Sequence, residues 1–129
     1  MATIEVTKKV NRLTKNSKLL KTIVEAIQEK KGENIISLDL RNIQEAVADF
    51  FIVCEASSTT QVKAISDFIE VKTKEILGES AYNSEGRTTF NWVIVDYINI
   101  VIHVMLPEMR KMYGLEELWC DAPEQSFNN

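Results

Sequence analysis

One histidine, two cysteines, four glycines and two prolines in 129 residues leave little room for several kinds of chemistry. His103 stands alone, and Cys54 and Cys120 lie far apart, so neither a Cys/His zinc set nor a C-x-x-C redox pair is present. No G-x-G-x-x-G and no P-loop occurs, which removes the common glycine-built phosphate cradles. No G-x-S-x-G elbow accompanies the histidine. Cys54 sits inside an apolar run and reads as a buried, reduced thiol. No apolar run nears the ~18 residues needed to span a bilayer, so no membrane partner is expected. The opening M-A-T-I-E-V-T-K-K-V-N-R-L-T-K-N has no apolar signal core. Its shortness and Glu5 argue against an organelle transit peptide, and a cytoplasmic location is expected.

What is there fits one soluble domain, with 45% hydrophobic and 26% charged residues. The net charge of -4 and pI near 5.1 disfavour affinity built on neutralising phosphates. Sequence-specific nucleic-acid binding is therefore not expected, and a basic protein is the better-matched partner.

Residues 1–16 show no clear period and are expected to form a loosely attached basic extension. Ser17 is a good N-cap for a helix over 17–31, with Leu20, Ile23, Val24 and Ile27 on one face and Gly32 as its C′ residue. Ile35–Leu40 and Asp49–Cys54 read as strands, the second apolar enough to be covered on both sides. Ser58 or Thr59 caps a long helix ending at Gly78, with Val62, Ile65, Phe68, Ile69 and Ile76 inward. A polar loop is expected over Asn83–Thr89. Trp92–Val95 and Ile98–Leu106 then form a hairpin around Asp96-Tyr97, and Pro107 opens a short helix. Tyr113 and Trp119 are expected to close over the sheet, packed with Leu115 and Leu118. The pattern predicts an α/β or α+β fold with a mixed sheet and helices packed on it.

Candidate chemistry is sparse. His103 in I-V-I-H-V-M-L could serve as a general base, but a hydrogen-bonded or packed histidine is the more economical reading. Asp39 and Asp96 could meet across a sheet to hold a metal, yet neither has an alternating acidic neighbour. Glu116-Glu117 reads as a solvated helix face. Ser57-Ser58-Thr59-Thr60 could hold an anion at a helix start, although capping alone accounts for it.

The joint string A-D-F-F-I-V-C at 48–54, S-x-x-Q-V-x-A-I-S-D at 58–67, E-G-R at 85–87, W-V-I-V-D-Y at 92–97, V-I-H-V-M-L-P-E at 101–108 and Y-G-L-E-E-L-W at 113–119 resembles the ribosomal silencing factor (Iojap-related) family. The likeness covers about 35–121. It implies a single α/β domain over 17–121, with a mixed β-sheet flanked by α-helices and a topology like nucleotidyltransferases without their catalytic motif. Residues 122–129 would be a flexible tail. It further implies a protein that is not an enzyme and uses no cofactor or metal. Such proteins bind the large ribosomal subunit through the ribosomal protein numbered fourteen, block subunit joining, and are homodimers when free. Carried over by position, the partner contacts are Trp92, Asp96 and Tyr97, then Glu85, Arg87, His103, Glu108 and Arg110. Alternatives are a metal-dependent nucleotidyltransferase-like enzyme and a generic dimeric adaptor. The family usually has Gly-Asp where this chain has Ile98-Asn99, and β-branched residues resist φ > 0, so the resemblance leaves the loop geometry and the aim of Tyr97 open. Trp92 and Tyr97, five positions apart, would face opposite sides of one regular strand.

Overall fold

Alternation and helical spacing place the core on both sides of one sheet. The structure, a computed structural model, describes residues 18–127. The extension at 1–16 and the Ser17 cap lie outside the described residues.

Helix α1 (18–29) is followed by β1 (Glu33–Asp39) and β2 (Phe50–Glu55), then α2 (Thr59–Leu77). Next come β3 (Asn83–Glu85), β4 (Trp92–Asp96), β5 (Ile100–Met105), α3 (Pro107–Tyr113), α4 (Leu115–Leu118) and β6 (Glu124–Phe127). The sheet order is β3-β4-β5-β2-β1-β6. All pairs are antiparallel except β2 with β5, so this is a mixed sheet in a single α/β domain. Its central pair is buried on both sides, in keeping with the unbroken apolar runs.

Period-2 alternation splits the core in two. Ile35, Ile52, Cys54, Val93, Val95, Ile100, Ile102 and Val104 point to one face, beneath α1 and α2. Ile36, Leu38, Phe51, Val53, Val101 and Met105 point to the other, where the 40–48 loop, Leu115 and Ala122 cover only part of the sheet. Cys54 is buried, and burial pushes its thiol up to about 12.

Several expectations need correction. Helix α1 ends in a Schellman arrangement whose left-handed residue is Lys31 (φ 66°), not Gly32. Gly32 is needed because an added Cβ would overlap the Ile27 side chain. Ser58 does cap α2, accepting from Gln61 N at 3.1 Å. The row Ile69–Thr73–Leu77 faces the sheet, which leaves Ile76 in solvent. The polar 83–89 segment is not all loop, because Asn83–Glu85 adds an edge strand to β4. Residues 124–127, expected in a flexible tail, pair with β1 instead, since that edge offers unpaired backbone groups. Leu115 is buried as expected, but Leu118 is exposed because α4 is one turn long and meets the sheet with its first residue.

The turn after β4 holds the least favourable backbone. Ile98 has φ 73°, Asn99 N donates to Tyr97 O across it (2.9 Å), and Asp96 Oδ1 accepts from Ile98 N (2.7 Å). Isoleucine thus takes a left-handed φ that glycine would accept more readily, which answers the question left open at this turn. Ile98→Gly should raise stability by about 1 kcal/mol, because relief of left-handed strain outweighs the added unfolded-state freedom. Urea unfolding checks this, and a lower midpoint would show that Ile98 is held by contacts worth more than its strain.

Candidate functional site

The β4 alternation divides the expected contacts. Trp92, Ile94 and Asp96 point to the partly covered face, while Val93 and Val95 point beneath the helices, followed by Tyr97 beyond the strand. The opposition expected of Trp92 and Tyr97 is therefore present. Tyr97 is 8% exposed, and its hydroxyl lies 2.6 Å from Thr73 Oγ1 on α2. Burial raises its phenol pKa, offset in part by that hydrogen bond. It is not a turn aromatic presented to solvent. It anchors the hairpin to α2.

On the open face, Trp92 is half-buried. Its Nε1–H donates to His103 Nδ1 at 3.1 Å, and its ring lies 4.8 Å from that of Tyr113. The His103 ring in turn lies 4.7 Å from Phe51, which meets Trp119 edge-on at 6.0 Å. Such pairs contribute about 0.5–1.5 kcal/mol each beyond their area. His103 itself is 5% exposed, and burial lowers its pKa to about 4. Glu85 pairs opposite Ile94 and therefore shares the face of Trp92 and Asp96. Met112 and Tyr113, 73% and 53% exposed, extend the apolar rim. Among the described residues, the groups that share this side of the sheet with Trp92 and Ile94 include Phe51 and Val53 of β2, Val101 and Met105 of β5, and Met109, Leu115 and Trp119.

The other predicted contacts are elsewhere. Arg87 turns to the helical side, bonding Ser84 Oγ (2.7 Å), Asp67 (2.7 Å) and Glu70. Arg110 is buried, donating to Glu116 (2.7 Å) and Asn34 O (2.6 Å), with Glu55 at 3.4 Å. It ties α3 to the β1–β2 side, which also makes Glu116 an ion-pair partner rather than a purely solvated side chain. Glu108 is exposed in the first turn of α3. Tyr113, whose ring lies near that of Trp92, joins this candidate site, and sequence reasoning missed it. Its signal was an exposed aromatic just before Gly114, where the helix ends.

The metal option fails on geometry. Asp39 and Asp96 lie on β1 and β4, with β2 and β5 between them, about 14 Å apart at ~4.8 Å per strand. They also face opposite sides, and Asp39 is bound to Arg41 by two side-chain hydrogen bonds of 2.9 and 2.6 Å. Among the described residues, no group of three or more His, Cys, Asp or Glu is placed to hold a metal ion. No described helix is long and apolar enough to cross a membrane.

Known proteins resemble this chain in sequence and fold. Residues 13–129 match the family model described as "Ribosomal silencing factor during starvation". The "Ribosomal silencing factor RsfS" of Halalkalibacterium halodurans is 36% identical over 108 residues, covering 84% of this chain and 91% of that protein. A crystal structure of a Chromobacterium violaceum protein superposes with a TM-score of 0.76 at 38% identity, covering 81% of this chain and 85% of that one. The mouse "Mitochondrial assembly of ribosomal large subunit protein 1" is 34% identical over 73 residues, 55% of this chain but only 32% of its own length.

Proposed function

Because the chain belongs to the ribosomal silencing factor family, we propose that it binds the large ribosomal subunit through the ribosomal protein numbered fourteen and sterically blocks joining of the small subunit. The carrying observation is the face built on β4, where Trp92 stands half-buried among ordered aromatics with Asp96 and Glu85 on the same side. A half-exposed tryptophan fixed by neighbours has the character of an interface anchor. The acidic net charge of -4 suits a basic ribosomal protein and steers the encounter. The name of the mouse relative supports the large subunit as the target. Occupancy and bulk are enough for this activity, so the protein acts without catalysis. It works in the cytoplasm and is a homodimer when free.

Large subunits are incubated with the protein, small subunits are added, and the mixture is sedimented. Joining is expected to fall as the protein saturates. Normal joining at saturation, or no co-sedimentation with large subunits, sinks the proposal. Trp92→Ala should weaken co-sedimentation roughly 30-fold, as an anchor worth about 2 kcal/mol would. Its circular dichroism should stay native. Unfolding of the variant would identify Trp92 as core instead.

A further inference from the structure

We infer that His103 is a positioning residue for partner binding, acting through Trp92 rather than by touching the partner. The inference rests on the functional reading above and assigns the group that makes its anchor rigid. Three observations meet at this side chain. First, an indole N–H can only donate, so His103 Nδ1, 3.1 Å from Trp92 Nε1, must be an acceptor. The imidazole is then neutral, with its proton on Nε2. Second, the ring cannot easily reorient. It lies 4.7 Å from Phe51 on β2 and 5.8 Å from Trp92 on β4, and its backbone is paired with Val53 and Ile94 on either side. Third, Nε2 is fully buried and has no hydrogen-bond partner among the described residues.

The third observation separates positioning from stability. A buried donor without an acceptor costs free energy, so nothing in the fold's own interest calls for an imidazole here. An apolar side chain of similar size would pack at least as well. What the imidazole supplies is the acceptor at Nδ1, and its product is a fixed indole plane on a half-open surface. A side chain ordered before binding loses less rotamer freedom on association. The partner then meets a preset Trp92 edge beside Asp96 and Glu85.

The test uses the full chain, with His103→Leu and His103→Asn. His103→Leu is expected to keep or raise the melting temperature, release the Trp92 indole N–H to faster exchange, and weaken binding to large subunits roughly tenfold. In His103→Asn, the amide oxygen falls near the lost Nδ1 and should restore both indole protection and binding. In the ¹⁵N-labelled wild type, a coupling across the hydrogen bond between Trp92 Nε1 and His103 Nδ1 should appear, with the histidine protonated at Nε2. Unchanged binding by His103→Leu with a freed indole overturns the inference. So does a wild-type histidine protonated at Nδ1, which also decides the matter if His103→Leu fails to fold. Wild-type protein that does not bind large subunits at all overturns the functional reading itself, whatever the indole shows.

Discussion

Gly86→Ala lowers stability by about 3 kcal/mol and detaches the loop that leads into β4. The estimate joins the cost of a left-handed non-glycine residue to a backbone clash, both of the order of 1–2 kcal/mol or more. Gly86 has φ 86°, where alanine is strained whatever the space. An added Cβ would also overlap the Trp92 carbonyl oxygen and sit 3.0 Å from its carbon and 3.2 Å from Val93 Cα. All three are main-chain atoms, so no flexible side chain can swing aside. The loop must open at Trp92, the residue proposed as the anchor. Arg87, next in sequence, grips Asp67 and Glu70 on α2 and resists that opening. Urea unfolding together with large-subunit binding measures both effects. A loss below about 1 kcal/mol with wild-type binding would show that the loop yields without cost.

Acid should weaken the fold well before its carboxylates are protonated. The folded His103 titrates near 4, against 6.5 for an ordinary histidine, because burial disfavours its charged form. Between these values the unfolded chain takes up a proton that the folded chain refuses. The neutral histidine's contribution is therefore complete above pH 6.5 and declines as pH falls towards 4. The total loss is about 3 kcal/mol, at 1.36 kcal/mol per pH unit. Asp39, held below the usual carboxylate range by its hydrogen bonds with Arg41, loses its contribution only at lower pH. With one histidine in the chain, the window between pH 4 and 6.5 has a single histidine to report. Stability measured across it should slope in the wild type and flatten in His103→Leu. Equal slopes would mean that the imidazole charges without penalty and that its burial is not maintained in solution.

The central elements were legible because their residues repeat a clear period. Phe50–Cys54 and Ile100–Met105 are apolar runs bounded by polar turns, and α2 carries both a serine cap and a glycine stop. The two-residue alternation also placed Trp92 and Tyr97 on opposite faces. Elements without an apolar signature were invisible. Asn-Ser-Glu and Glu-Gln-Ser-Phe become strands only because a neighbour offers backbone groups to pair. Lys31 and Ile98 take left-handed conformations that their side chains disfavour, so tertiary context decides there. Within the site, the acceptor for Trp92 comes from the β4–β5 register, which sets residue 103 beside Ile94. The destinations of Arg87 and Arg110 depended on which carboxylates the fold brings near them, 6 to 55 positions away in sequence.

The two outermost strands have a consequence for how this molecule stays in solution. Among the described residues each is paired on one side only, and they are three and four residues long. Between them they carry Asn, Ser, Glu, Gln and one Phe, poor material for recruiting a stranger's backbone. A protein that leaves Trp92, Tyr113 and Met112 at its surface runs a risk of sticking to itself. Short polar margins keep any such sticking from growing into extended, fibre-like stacks. Backbone pairing at these margins is thereby the poorer route to association, and side chains such as Trp92, Tyr113 and Met112 offer the better one.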